Sequence, residues 1–244
     1  NLKGYTVKKR LVHAKDYGVP QNRPRILIIG IQSKIFKCKN ENDDAFDAGL
    51  LPDIVGSAPN LEEIFDDIID TNFEYGGETK TYPKEAKTEW QKKLRKKNNK
   101  IFKKGDELTE QEYSNHSKKT QEKFKAMIKN QGRIPNKYKT KKFAQRLLPR
   151  RWGNKGPSIT ITSLADDFVH YMQARTPTVR ECARIQTFPD WYKFSGKRTT
   201  GGIRRAGNPR KNIFDREVPK YTQIGNAVPV ELARNIGEHI KKYI

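Results

Sequence analysis

Cysteine is nearly absent. Cys38 and Cys182 are the only two in 244 residues, so there is no disulfide framework, and the usage points to a reducing compartment. Four scattered histidines and two distant cysteines offer no zinc-ligand spacing. No stretch approaches the roughly 18 apolar residues of a membrane span, and the basic start lacks the apolar segment of a signal peptide. Internal repeats are missing, and no Gly-x-Gly follows a predicted strand.

Positive charge is what the chain has in excess, with a formal net charge of +22. It is unevenly placed. Residues 1–82 carry 11 Lys/Arg against 13 Asp/Glu, whereas residues 83–155 carry 24 against 7. A block of that density favours a polyanion, because each cation that neutralises a phosphate releases condensed counterions. Charge alone also allows a solvated, lysine-rich insert. Aromatics are interleaved with the bases at Trp90, Phe102, Tyr113, Phe124, Tyr138, Phe143 and Trp152. Most of them are expected to be local core.

The apolar pattern predicts a modest set of elements. Residues 4–15 read as a short strand, followed by a Gly18-Val19-Pro20 turn and the apolar run Ile26–Ile31. "NLEEIFDDIID" (60–70) reads as a helix capped by Asn60, with its acidic face in water. "SKKTQEKFKAMIKNQG" places Phe124, Met127 and Ile128 on one helical face and ends at Gly132. "GPSITITSL" (156–164) alternates like a strand, and Thr178 with Glu181 forms a capping box on a short helix. Pro229 opens a terminal amphipathic helix bearing Leu232, Ile236 and Ile240.

Within "DYGVPQNRPRILIIG", Gln21, Arg23 and Arg25 are spaced two apart at the mouth of the apolar strand. Extended backbone would turn them the same way. Taken alone, the two arginines read as surface groups at a strand end.

Three stretches in order resemble the C-terminal motifs of the DNA (cytosine-5) methyltransferases. "AKDYGVPQNRPRILIIG" resembles the eighth motif, "RTPTVRECARIQTFPDWYKF" the ninth and "YTQIGNAVPVELARNI" the tenth. The basic block falls where that family keeps its variable target-recognition region. The acidic stretch 39–80 looks like an insertion or variable loop.

The resemblance implies a chemistry. Methylating C5 of cytosine in duplex DNA requires extruding the base into a pocket. There a thiolate adds to C6, a carboxylic acid engages N3, and C5 takes the methyl of S-adenosylmethionine. A fixed guanidinium stabilises the charge that develops on the ring and its O2. The resemblance gives that O2 contact to Arg25, support of the pocket and its acid to Arg23, and ordering of the loop to Gln21. Asn226 and Ala227 lie where the family contacts the cofactor's methionine end, and Gly225 is expected to allow close backbone approach. Arg180 and Glu181 are expected to organise the recognition region through an internal ion pair and a cap, with Cys182 a core thiol. Lys92, Lys93, Lys96, Lys97, Arg150, Arg151, Arg204 and Arg205 are the candidate DNA-binding residues. No metal is called for.

The family's Gly-rich cofactor loop, Pro-Cys-Gln nucleophile and Glu-Asn-Val acid are not found here. Cys38 in "FKCKN" and Cys182 both sit in the wrong setting for a nucleophile. The expected fold is therefore α/β: the C-terminal portion of a Rossmann-like methyltransferase, a late sheet strand plus a terminal helix, with a small mixed target-recognition domain. Residues 1–36 would end the catalytic domain, 37–195 would hold the recognition region and 196–244 would return to the catalytic domain. The strand Ile26–Ile31 would be buried with open edges, and the terminal helix would direct its apolar face at an absent partner. Expected partners are double-stranded DNA and an N-terminal methyltransferase half or subunit, with no membrane. The chain would be inactive alone, either as a subunit or as a piece of a longer enzyme, the latter slightly favoured because it starts at Asn1 without a methionine. The resemblance fits a bacterial restriction–modification system and a cytoplasmic, DNA-associated location. The alternative is a non-catalytic DNA-binding or targeting subunit of methyltransferase ancestry.

Overall fold

A computed structural model describes residues 3–139, 144–200, 207–212, 214 and 217–243. The chain divides into two compact units. The first comprises Asn1–Pro59, Gly153–Thr160 and Val228–Ile244, and the second Asn60–Trp152 and Ile161–Ala227. Among the described residues, no helix is long and apolar enough to cross a membrane.

The first unit is built on a two-stranded antiparallel sheet, β1 (Tyr5–His13) and β2 (Pro24–Gln32), in register from Tyr5↔Gln32 to His13↔Pro24. Strand side chains alternate between faces. One face carries Val12, Leu27, Ile29 and Ile31 into a core completed by Ala45, Leu50 and Leu51. The terminal helix, labelled α6 (Val230–Ile240), packs Leu232, Ile236 and Ile240 on that same core. This corrects the expectation that its apolar face lacks cover: strand and helix lie more than 200 residues apart but bury each other. The strand also departs from expectation. Ile26 and Ile28 are each 70% exposed on the opposite face, beside Leu11 and Val7, so β2 is buried on one side only.

Segment 156–164 forms no strand, although Ile159 and Ile161 are buried as the alternation predicts. Period-two burial reports which side chains are covered, and a strand also needs a neighbouring backbone to pair with. Here the Asn22 amide donates to the Ile159 carbonyl at 2.7 Å, a single bond rather than a ladder.

The regular elements of the second unit are mostly short helices: α1 (Leu61–Phe65), α2 (Glu89–Arg95), α3 (Lys118–Lys129), α4 (Val179–Ile185) and α5 (Lys220–Asn226). A hairpin, β3 (Lys96–Lys97) with β4 (Lys100–Ile101), follows α2, and β5 (Arg146–Leu147) pairs in parallel with β6 (Phe168–Val169). Caps explain several starts. Asn60 and Glu63 box α1, Thr88 and Gln91 box α2, and Ser117 accepts from Thr120 at α3. Phe124 and Met127 then anchor α3 against Val169 and Ala174.

Buried ion pairs run through this unit. Arg95, Arg175, Arg180 and Arg184 are fully buried. Asp67 accepts from Arg95 Nε at 2.7 Å and from Arg184 Nη1 at 2.5 Å, while Asp190 accepts from Arg184 Nη2 at 2.5 Å and from the Tyr82 hydroxyl at 2.8 Å. The acidic face of α1 and its 3₁₀ extension is therefore not all in water. Two arginines from distant segments meet Asp67, and the pairing offsets the cost of burying its charge.

Candidate functional site

The loop before β2 is tightly tied. Gly18 has φ +79°, the Val19 amide returns to the Ala14 carbonyl, and Gln21 N donates to Val19 O at 2.7 Å across Pro20. The Ala14 amide donates to Arg23 O at 3.0 Å, closing the loop onto the end of β1. Burial then falls along the series: Gln21 is fully buried, Arg23 is buried and Arg25 is half-buried. Burial, with the charge of Arg25 nearby, pulls the Arg23 guanidinium down to about 10, so it remains a cation at neutral pH. Arg25 Nη1 donates to the Pro24 carbonyl at 2.7 Å, which steadies the guanidinium nearest to solvent.

Asn22 is a member of this loop that sequence reasoning passed over. Its Oδ1 lies 2.7 Å from His13 Nδ1, and its carbonyl accepts from the Thr160 hydroxyl. A polar residue between Gln21 and Arg23 carries no periodic signal, so only its partners reveal it.

The start of the tenth motif forms α5. Gly225 is required by space: a Cβ there would lie 2.6 Å from the Ser163 Cα and N and from the Thr162 C. Gln186 Nε2 donates to the Ile224 carbonyl at 2.7 Å, and the Tyr221 hydroxyl donates to Pro177 O at 2.8 Å. Next to this pinned backbone Asn226 is exposed, and Ala227 is the half-buried C-cap.

The ninth motif is sealed from solvent over residues 175–187, while Trp191 and Tyr192 near its end are exposed. Thr178 and Glu181 form the expected capping box, but the ion-pair partner of Glu181 is Arg175 rather than the adjacent Arg180. Burial pushes the Glu181 carboxyl up, yet the Arg175 charge outweighs this and holds it at about 2. Arg180 instead donates to the carbonyls of Thr109, Pro189 and Tyr192. His170 is fully buried and held down at about 3 by desolvation, its Nδ1 accepting from the Met172 and Gln173 amides. Cys182 is a core thiol whose pKa burial raises. Cys38 is half-buried and donates to the Asn40 carbonyl at 2.9 Å.

The basic candidates differ in availability. Lys92 pairs with Glu89 at 2.7 Å, and Lys93 lies over the Trp90 ring at 4.8 Å. Lys96 and Lys97 are exposed on the hairpin. Arg150 and Arg151, 69% and 72% exposed, both donate to Glu62. Arg204 and Arg205 lie outside the described residues. Among the described residues no group of three His, Cys, Asp or Glu side chains could hold a metal ion.

This mixed α/β chain, with a strand-mouth arginine pair and a sealed arginine-rich motif, belongs to the C-5 cytosine-specific DNA methylase family, whose family model matches residues 1–242. It is 29% identical over 257 residues to the type II methyltransferase M.DdeI of Desulfomicrobium norvegicum, covering 98% of this chain and 55% of that protein. It is 30% identical over 245 residues to M.BspRI of Lysinibacillus sphaericus, covering 98% and 44%. A crystal structure titled as a prophage-encoded DNA modification methyltransferase of E. coli shares the fold, with a TM-score of 0.64 at 20% identity, over 98% of this chain and 61% of that one. The chain thus spans about half the length of these curated relatives.

Proposed function

We propose that this chain is the DNA-recognition and target-base portion of a DNA (cytosine-5) methyltransferase of the restriction–modification type. The observation that carries the reading is the burial gradient at the mouth of β2, where Gln21 and Arg23 are enclosed and Arg25 is presented. A guanidinium held at a half-dry strand end suits the negative charge that develops on an extruded cytosine during C5 attack. In such a setting one donor is worth several kcal/mol, on the order of the 2.7–4 seen for oxyanion contacts. Arg23 supports it from behind, and Gln21 orders the loop.

The cofactor of this reading is S-adenosylmethionine, which supplies the methyl group when bound. The residues present fit a contact at its edge: the exposed Asn226 carboxamide can both donate and accept beside a backbone that Gly225 fixes, with Ala227 adjoining. The main cofactor loop and the attacking thiolate come from an N-terminal half. Neither cysteine here suits attack, since Cys182 is sealed with a raised pKa and Cys38 lies in a loop bonded to Asn40. The exposed Ile26, Ile28 and Leu11 face fits as the surface that this half covers. In this reading β1 and β2 end the catalytic domain and the second unit carries target recognition, with double-stranded DNA as the substrate.

Co-expression with an N-terminal half carrying the nucleophile and cofactor loop tests this. Transfer of labelled methyl to duplex DNA is expected from the complex and not from the chain alone. A complex that binds DNA tightly and transfers nothing would make the chain a non-catalytic targeting subunit.

A further inference from the structure

The partners of the basic residues sort them by what they can still bind. Lys92 is held by Glu89, and Arg150 and Arg151 share Glu62. A different set, none of its lysines among the candidate DNA-binding residues singled out by sequence, converges on one surface pocket of about 200 Å³. Lys119, Thr120 and Lys123 line it from α3, and Lys137, Tyr138 and Lys139 from the turn beyond that helix.

Among the described residues no carboxylate forms an ion pair with any of these four lysines. Lys123 donates to the neutral amide oxygen of Gln145, and burial lowers its pKa. Lys137 lies 4.8 Å from the Tyr138 ring centroid. The neighbouring Glu122 takes a 3.4 Å bond from the Tyr138 hydroxyl rather than pairing with a lysine. Four ammonium groups around one small pocket repel each other, and an anion with several oxygens would turn that repulsion into attraction. The pocket also adjoins the first turns of α3, where the helix dipole favours negative charge.

We propose that this pocket is a phosphate clamp for the nucleic-acid backbone. The inference rests on the reading above that the chain binds duplex DNA. The backbone is favoured over a free anion because the pocket lies within the block of 24 Lys/Arg against 7 Asp/Glu, which suits a chain of phosphates. Flexible ammonium groups are point donors without the planar fork that reads base edges. The clamp therefore sets affinity and position on the duplex, and sequence is read elsewhere.

The test is a fluorescence-anisotropy titration of the full chain on a duplex over a series of salt concentrations. Replacing all four lysines (K119Q, K123Q, K137Q, K139Q) should flatten the slope of log K against log salt by about 3.6, given roughly 0.9 per phosphate contact. The control K241Q/K242Q, at two exposed lysines outside the basic block, should change it by less than about 1 on the same scale. An unchanged slope in the fourfold variant, or an equal change in the control, overturns the proposal. Inorganic phosphate followed by ³¹P NMR separates the sources: phosphate binding lost in the variant with an unaltered DNA slope makes this a free-anion site and overturns the clamp. If the unaltered chain does not bind duplex DNA, the DNA-binding reading falls and the clamp with it. Should the fourfold variant lose its cooperative melt, K137Q/K139Q, which leaves α3 intact, must give about half the change in slope.

Discussion

Arg175 grips Glu181 through two bonds, Nη2 to Oε1 at 2.6 Å and Nη1 to Oε2 at 2.8 Å, with both side chains fully buried. Glu181 also accepts from the Thr178 amide at 2.9 Å, so a single carboxylate caps α4 and neutralises a buried arginine. Removing one partner strands the other charge. Arg175→Met should therefore cost about 3–5 kcal/mol of stability, read by chemical denaturation. A loss below about 1 kcal/mol, the range of an exposed pair, would show that this pair is not sealed.

The same cluster makes stability depend on pH. Glu181 is depressed from 4.5 to about 2 in the folded chain, so its contribution is present above 4.5 and is lost as pH falls through about 2. His170 is depressed from 6.5 to about 3, so the unfolded chain binds the extra proton and stability already declines below pH 6.5. Both act in the same direction. His170→Gln should flatten the stability profile between pH 6.5 and 4.5 and lessen the slope from there to about 3, leaving the loss set by Glu181. An unaltered upper limb would mean that another group titrates there.

Arg25→Ala in the complemented enzyme should slow single-turnover methylation by on the order of 10²-fold or more. Duplex affinity should hardly change, and Arg25→Lys should recover little, because an ammonium cannot reproduce the planar fork. Equal losses of binding and rate would make Arg25 a phosphate contact.

The hairpin lysines should matter more than their helical neighbours. Lys96 and Lys97 are exposed, whereas Lys92 is paired with Glu89. Lys96→Gln with Lys97→Gln should flatten the salt dependence of DNA binding by about 2, at roughly 0.9 per contact. A flat response would make the hairpin a solvated insert.

Assembly should run through the open face of the sheet. Ile26→Ser with Ile28→Ser removes apolar area at two positions that are 70% exposed, so the first unit should keep its melting behaviour. Co-purification with the N-terminal half should drop sharply. Undiminished co-purification would place the interface elsewhere.

Much of the local structure was legible in sequence. Asn60, the Thr178–Glu181 box and the Phe124–Met127 stripe all stand as read. Each is set by groups within four residues of one another, where backbone geometry leaves few choices. The alternation at 156–164 was right about burial and wrong about a strand, because pairing needs a second backbone that local pattern does not supply.

By itself, the sequence determined the order of the three motifs and the concentration of positive charge. Only the tertiary structure decided where charges end and which faces are covered. Arg184 meets Asp67 across 117 positions and Arg95 meets it across 28, while α6 covers a strand more than 200 residues earlier. The reason is physical. A cap or an apolar stripe is fixed by the pitch of one helix, whereas the partner of a buried charge is chosen by the packing of distant segments and leaves no period in the chain.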